Sequence, residues 1–188
     1  NRTEALRLYR WNLEVSSAFI VPLQICEVSV RNAISEAITA THGANWPFEQ
    51  GFQIRLTDPP RAYSPRKNVQ QLRNEGTTGK VIAELKFVFW QYMFTSRHDS
   101  TIWNPHLRTV FPHTNPNESV QKLRRDGYEA LNQIRDLRNR IAHHEPIFSR
   151  DIQEEYDRIK NVISWRSDIA AAWVDKIEAA TEKIAEKP

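Results

Sequence analysis

The strongest constraint on the fold is an apolar stripe near the start of the chain. Apolar residues recur there at three- and four-residue spacing: Leu23, Cys26, Val30, Ala33, Ile34, Ala37 and Ile38. This spacing puts all of them on one face of a helix, so the sequence predicts a helix over residues 3–41. Pro22 either kinks this helix or begins a second one within its first turn.

The rest of the chain shows helical signals and no convincing strand pattern. Helix starts are predicted at Ser64, Thr78, Asn115, Ser149 and Ser167, with ends near Glu75, Ser96, His144, Trp165 and Glu186 respectively. Residues 43–64 and the proline-rich stretch around residues 103–116 are predicted to be long loops. With 40% apolar residues over 188 positions, we expect an all-α fold in one domain spanning residues 1–188.

The charge pattern points towards phosphate. The net charge is +3, and 18 of the 26 basic residues are arginine. Arginine donates paired hydrogen bonds to phosphate, which favours nucleic-acid binding, although a solvated helical surface has the same composition. Cys26 is the only cysteine, which excludes an internal disulfide and a cysteine-based zinc site. Because no spanning apolar run or secretory signal is visible, we expect a cytoplasmic protein without membrane association.

Two superficial motifs carry no chemistry. Residues 76–80 (GTTGK) contain two residues between the glycines where a phosphate-binding loop needs four, and Val81 follows the lysine where Ser or Thr is required. We interpret them as a helix start. The six histidines lack metal-ligand spacing with acidic residues. Neither a metal nor another cofactor is therefore expected.

Arg138, Asn139 and His143 carry the most specific chemistry. On an ideal helix Arg138 and His143 lie about 140° apart, so they converge only if the helix ends near His143 or a second chain contributes. Pro146 supplies such an end. Histidine can move protons at neutral pH and arginine can hold a phosphate, and together these steps cleave RNA without a metal because the ribose supplies the nucleophile.

The spacing alone is weak, because a chain this rich in arginine produces it by chance. A second instance, Arg108 to His113, crosses Pro112 in a predicted loop, and we interpret it as coincidence. The segment around Arg138 has further context. Residues 137–147 (LRNRIAHHEPI) closely resemble the C-terminal signature of the Abi-like family, the bacterial abortive-infection proteins of the HEPN superfamily.

Two further segments resemble the same family, in the family's order. Residues 79–90 are similar to its buried middle helix, with Val88 where the family usually has glycine. Residues 27–32 are similar to its first-helix signature, through Glu27, Arg31 and Asn32. The resemblance implies a HEPN-type helical bundle. It also implies a homodimer whose two Arg-Asn-His sets face one RNA-binding cleft.

The implied activity is metal-independent cleavage of single-stranded RNA to 2′,3′-cyclic phosphate and 5′-hydroxyl ends, in anti-phage defence or as a toxin. By the resemblance, Arg138 would hold phosphate, Asn139 would orient the site and His143 would handle protons. His144 lies within the looser spacing of the superfamily, so it shares or supports that role. An antitoxin or a regulatory RNA is a possible further partner.

Each of these residues has a simpler interpretation. Arg138 can form a surface ion pair, Asn139 can bind backbone, and a cation such as His143 is favourable at a helix end. Four arginines on the same predicted helix either guide RNA or line a solvated face: Arg124, Arg125, Arg135 and Arg140. Glu27 and Arg31 either pair within their helix or support the site. The alternative function is a non-catalytic RNA-binding or dimerisation module that holds a structured RNA or an antitoxin.

Overall fold

The computed structural model describes residues 1–188 and contains helices and no strand, which confirms the all-α prediction. The chain divides into two compact units: unit 1 comprises Asn1–Ser29 and Glu129–Pro188, and unit 2 comprises Val30–Tyr128. The helices are α1 (Arg2–Ala18), α2 (Ile20–His42), α3 (Gln50–Gln53), α4 (Pro65–Gln71), α5 (Thr78–Glu84), α6 (Phe87–Met93), α7 (Asn104–Val110), α8 (Val120–Ala142), α9 (Ile152–Arg166), α10 (Asp168–Ile177) and α11 (Ala180–Ala185). Residues of α2 and α8 occur in both units.

Unit 1 is a set of helices with a continuous apolar core. Leu131, Ile134 and Leu137 are buried at three-residue spacing along the last part of α8. Arg138 and Asn139, which come directly after Leu137, therefore face outwards and are exposed. The indole nitrogen of Trp11 donates a 2.6 Å hydrogen bond to the Lys183 carbonyl, which fastens α1 to α11. Phe19 meets Tyr156 edge to face, with ring centroids 6.3 Å apart.

An ionic network joins α8 to α9 within unit 1. The buried carboxylate of Glu155 accepts hydrogen bonds from both Arg150 and Arg158. Arg150 also donates a 2.5 Å hydrogen bond to Asp136 of α8. Because each buried or half-buried charge has a partner of opposite sign, the network holds the end of α8 in one position relative to α9.

Unit 2 is built around aromatic side chains. Trp46, Trp90 and Trp103 are fully buried, and Trp46 contacts Phe52 and Phe89 at centroid distances of 5.0 and 6.1 Å. Trp103 stacks on Phe94 and donates through its indole nitrogen to the Met93 carbonyl at 2.6 Å. The indole nitrogen of Trp46 donates to the Ser35 hydroxyl at 3.3 Å, so the polar ends of Trp46 and Trp103 are satisfied. The indole nitrogen of Trp90 is buried without a hydrogen-bond partner.

The two segments predicted as loops contain short helices. Within residues 43–64 the chain forms a 3₁₀ turn at Trp46–Phe48 and then α3. In the second segment Pro105 lies within the first turn of α7, a seven-residue helix. Proline is compatible with a first turn because its missing N–H has no intrahelical partner there. The loop prediction therefore holds for most of residues 43–64, apart from Trp46–Phe48 and Gln50–Gln53, and is wrong for Trp103–Val110 in the second segment. Trp46 and Trp103 are buried within these helical parts.

The continuous helix predicted over residues 79–96 is broken. Helix α5 ends at Glu84 and α6 begins at Phe87, because Leu85 and Lys86 have extended backbone conformations. Leu85 and Phe87 on either side of the break are both buried, whereas on one straight helix they would lie about 200° apart, on nearly opposite faces. The cap is Thr77, whose hydroxyl accepts from the Lys80 N–H at 3.3 Å, and not Thr78 as predicted.

Other helix boundaries were predicted with mixed success. Ser64 and Ser167 cap α4 and α10 as expected, and α2 begins at Ile20 with Pro22 in its first turn, which favours the second-helix alternative. Helix α8 begins at Val120, near Ser119, and not at Asn115, while Asp151 caps α9 in place of Ser149. The side chains of Ser119 and Asp151 accept the first-turn N–H groups of Lys122 at 3.2 Å and of Glu154 at 3.0 Å.

One helical stretch, residues 2–42, is long and apolar enough to cross a membrane by length and composition. The core helix of a soluble protein and a signal sequence satisfy the same test. Within this stretch the apolar stripe of α2 is buried in the protein, including Val30, Ile34 and Ile38.

Candidate functional site

The residues from Arg138 to Pro146 form the C-terminal end of α8. The helix stops at Ala142, after which the Glu145 N–H donates to the Arg140 carbonyl at 2.8 Å and the His144 N–H donates to the Ile141 carbonyl at 3.1 Å. These two bonds define a Schellman ending, in which the residue at the His144 position is usually glycine. His144 has a φ of 58°, a left-handed conformation that is uncommon for a residue with a side chain.

The four residues predicted to be catalytic lie at this end of α8, and the side chains of all four are exposed to solvent. Arg138, Asn139, His143 and His144 form no side-chain hydrogen bond or ion pair within the chain. Asn139 and His143 lie one turn apart, with the His143 N–H donating to the Asn139 carbonyl at 2.9 Å. By helical geometry they share a face, while Arg138 leaves the helix about 140° away from His143.

Arg140 holds the turn that follows the helix. Its guanidinium donates to the Pro146 carbonyl at 2.8 and 3.3 Å and lies 3.7 Å from the Glu145 carboxylate. These contacts fold the chain back after His144. Arg140 was predicted to bind RNA, and in the structure much of its hydrogen-bonding capacity is directed to the protein.

The other predicted RNA-binding arginines differ in their environment. Arg135 is half-buried and donates to the Asn132 side chain at 3.1 Å. In unit 2, Arg124 forms a 3.0 Å ion pair with Asp99. Arg125 is exposed, with no hydrogen bond or ion pair to the protein. The structure therefore leaves Arg125 fully available to a ligand and engages Arg124 in the packing of unit 2.

Glu27 and Arg31 do not form the intrahelical pair that the sequence suggested as one alternative. Neither side chain makes an ion pair, and the Nε atom of Arg31 is buried without a hydrogen-bond partner. The second Arg-to-His spacing also has a structural explanation. Arg108 donates to the Glu118 carbonyl at 2.5 Å, so it orders the segment before α8.

An apolar groove lies beside His144 in unit 1, and sequence reasoning missed it. We call it the α1 groove; it has a volume of about 560 Å³ and is lined by Ala5, Leu8, Tyr9, Asn12, Leu13, His144, Pro146 and Phe148. A sequence signal existed. Leu6, Tyr9 and Leu13 repeat at three- and four-residue spacing, yet all three are exposed while Trp11 and Val15 fill the core from the other side of α1.

Ionisable groups are also buried away from the motif. Burial lowers the pKa of His98 in unit 2 to about 4, assisted by the positive charges of Arg97 and Arg55. Burial raises the pKa of the Cys26 thiol to about 12, so this cysteine is unreactive near neutral pH. The structure contains no group of three or more His, Cys, Asp or Glu side chains with the geometry of a metal site.

We compared the chain with protein families, curated proteins and solved structures. No family model, no curated protein and no solved structure matches the chain. The residues themselves and the resemblance of their sequence pattern are therefore the basis for assigning a function.

Proposed function

We propose that this protein is a metal-independent endoribonuclease of the HEPN type that cleaves single-stranded RNA. The observation that carries the proposal is the state of the motif side chains. Arg138, Asn139 and His143 are exposed and unengaged at a helix end, whereas nearby Arg150 and Arg158 are held by carboxylates. Unpaired polar groups concentrated at one ordered turn are available to an external phosphate.

The chemistry follows from the side chains. A histidine, His143, removes the proton from the ribose 2′-hydroxyl, and the resulting oxygen attacks the adjacent phosphorus. The bond from phosphorus to the 5′-oxygen breaks, and a second histidine protonates that oxygen. Arg138 donates to the non-bridging oxygens, where negative charge accumulates in the transition state. The products are a 2′,3′-cyclic phosphate and a 5′-hydroxyl, so atoms and protons balance without a metal.

The second histidine is either His144 or the partner's His143. A homodimer provides the latter, and it also resolves the angular separation of Arg138 and His143 on one helix. In the dimer, Arg138 and His143 are drawn from opposite chains and meet across one cleft. The HEPN-type bundle and a role in anti-phage defence or as a toxin belong to the same proposal.

The direct test is cleavage of a labelled single-stranded RNA in EDTA. Wild type should produce 2′,3′-cyclic phosphate ends, identified by mass spectrometry, while Arg138→Ala and His143→Ala should not. Arg73→Ala is the matched control, because it removes an exposed, unpaired arginine from unit 2. Contaminating nucleases form the same ends, so equal cleavage by wild type and both motif variants would refute the enzymatic proposal.

The composite site has its own test. One chain carrying Arg138→Ala and another carrying His143→Ala are co-expressed and the mixed dimer is purified through two different tags. If each site takes Arg138 and His143 from opposite chains and His144 is the second histidine, the mixed dimer regains activity that neither parent has. If the second histidine is the partner's His143, the mixed dimer stays inactive, because it contains only one His143. Sedimentation should give twice the 22.0 kDa mass of one chain. A monomeric, active wild type would refute the composite site alone.

A further inference from the structure

The α1 groove has the size and the lining of a site for a small flat ligand. Its volume of about 560 Å³ lies within the roughly 300–1,000 Å³ typical of small-molecule sites. Helix α1 supplies one part of the lining, and the turn after α8 supplies the rest. Of the proposed catalytic residues only His144 lines it, so the other lining residues have no role in the chemistry described above.

Two aromatic rings of the groove are accessible. Tyr9 is 63% exposed and Phe148 is 38% exposed, and they come from separate segments of unit 1. The Phe148 carbonyl accepts a 3.0 Å hydrogen bond from Lys187, which holds the turn that bears the ring. Proteins that bind unpaired RNA bases commonly stack them on accessible aromatic side chains of this kind.

The floor of the groove presents an oriented hydrogen-bond donor. Asn12 is only 7% exposed, and its side-chain oxygen accepts a 2.8 Å hydrogen bond from the buried N–H of Ile147. That bond fixes the orientation of the amide, because only the oxygen can accept. The Nδ2 group makes no hydrogen bond within the chain and is not sealed from solvent. A ligand carbonyl entering the groove would satisfy this donor.

We propose that the α1 groove binds one unpaired nucleobase of the RNA substrate. The base stacks on Tyr9 and Phe148, and a carbonyl oxygen of the base accepts a hydrogen bond from Asn12 Nδ2. The identification of the ligand as RNA rests on the proposed ribonuclease function. Because His144 lines the groove and follows His143 directly in the chain, a base in the groove brings its ribose and phosphate to the end of α8.

A base fits these observations better than an apolar protein segment does. Apolar side chains of a second protein would cover Tyr9 and Leu13 but would leave the Asn12 donor buried without a partner, which is unfavourable. A pyrimidine or guanine supplies an aromatic face and a carbonyl at its edge in one group. The groove therefore matches both the shape and the polarity of a carbonyl-bearing base.

The test measures binding without cleavage. The probe is a tetrauridylate whose riboses are 2′-O-methylated, which removes the nucleophile, and its reference is an abasic oligomer of the same length and charge. The full chain should bind the base-bearing probe about five- to a hundredfold more tightly than the abasic one, the range expected for stacking of a base. Calorimetry gives both affinities.

Variants of the lining residues then test whether the preference for the base-bearing probe arises in the α1 groove. Tyr9→Ala should remove most of the preference for the base-bearing probe, and Phe148→Ala should remove part of it. Asn12→Asp keeps the acceptor for the Ile147 N–H but replaces the donor with a second oxygen, so it should also weaken binding of the base. Trp173→Ala is the matched control, because Trp173 is 52% exposed in unit 1 and does not line the groove. If Asn12→Asp fails to fold, Tyr9→Ala decides alone.

The outcomes separate the two proposals. Equal binding of the base-bearing and abasic probes by wild type would overturn the groove proposal, whether or not the protein cleaves RNA. A base preference that Tyr9→Ala abolishes, in a protein that cleaves no RNA, would support the groove and refute the ribonuclease. If Tyr9→Ala dissociates a dimer and leaves the preference for bases unchanged, the groove is a protein interface and the proposal fails.

Discussion

Ten large hydrophobic side chains are exposed in the structure, and nine of them belong to unit 1; Ile54 alone belongs to unit 2. Unit 2 instead encloses its largest side chains, including Trp46, Trp90 and Trp103, which are fully buried. If burial of apolar residues were the only requirement, the two units would expose similar numbers of large hydrophobic side chains. Contiguous exposed apolar groups mark a surface that binds something, and three of the nine, Tyr9, Leu13 and Phe148, are contiguous in the α1 groove.

Both units contain paired and unpaired arginines, such as Arg150 in unit 1 and Arg125 in unit 2, and the contrast lies in what accompanies the unpaired ones. In unit 2, Arg66 donates to three backbone carbonyls and Arg124 is paired with Asp99, so these charges order the chain. At the end of α8 in unit 1, Arg138 and His143 have no internal partner. The difference suggests that unit 2 contributes stability and unit 1 contributes binding and chemistry, and four predictions test that division.

The largest effect is expected at the motif. Arg138→Ala should lower the rate of RNA cleavage by about 10²–10³-fold, the usual loss when one charge-stabilising donor is removed. His143→Ala should lower it by about 10²–10⁴-fold through the loss of proton transfer. Both side chains are exposed, so the melting temperature should not change. A variant that loses activity only in proportion to lost folded protein would show that the end of α8 is structural.

The aromatic core of unit 2 should dominate stability. Trp46→Ala should lower the free energy of unfolding by about 3–5 kcal/mol, because it removes a fully buried indole and leaves a cavity. Trp173→Ala in unit 1 should change it by less than about 0.5 kcal/mol, because that ring is half exposed. Urea unfolding of the two variants side by side measures the contrast. Similar losses for both would remove the proposed distinction between the units.

Unit 2 should also carry a pH dependence of stability. Burial lowers the pKa of His98 from 6.5 to about 4, so the folded state favours the neutral ring and the unfolded state binds the proton more readily. Stability should therefore be complete above about pH 6.5 and fall as the pH decreases towards 4, by up to about 1.4 kcal/mol per pH unit. Urea unfolding at pH 7, 6 and 5 measures this slope.

The control for this prediction is His98→Gln, which keeps a polar side chain and cannot become charged. Its free energy of unfolding should depend less on pH over the same interval. An identical slope in wild type and in the variant would assign the pH dependence to other groups.

The smallest effect is expected at His144. His144→Gly should stabilise the protein by up to about 1 kcal/mol, because glycine adopts the left-handed conformation at φ 58° without a steric cost. The same change should reduce cleavage if His144 takes part in proton transfer. Thermal unfolding and cleavage are measured on the same preparation. A stabilised variant with full activity would assign His144 to the helix ending alone.

Local signals predicted several elements correctly. Pro146 indicated the end of α8 near His143, and the Ser64-Pro65 pair and Ser167 indicated the starts of α4 and α10. These features depend on hydrogen bonds over three or four residues, so a short window of sequence contains the necessary information. The catalytic candidates were found in a different way, because the spacing of Arg138 and His143 is weak by itself and the resemblance of residues 137–147 to a family signature singled them out.

Other boundaries depended on competition between equally good local choices. The sequence offers Asn115, Ser119, Ser149 and Asp151 as caps, and packing selected Asp151 for α9 and a start near Ser119 for α8. The break between α5 and α6 contains no proline or glycine, so the local sequence does not predict it. It exists because Leu85 and Phe87 are both buried, a requirement that only the assembled core imposes.

The sequence by itself determined the helical class and the end of α8, because both follow from periodicity or from signals between near neighbours. It also supplied the motif residues, through the resemblance of residues 137–147 to a family signature. Tertiary structure alone decided which side chains remain available. The hydrogen bond from Ile147 to Asn12 joins positions 135 residues apart, and Asn12 lines the groove beside His144. Such contacts depend on how helices pack, and packing depends on the shapes of side chains that are distant in the chain.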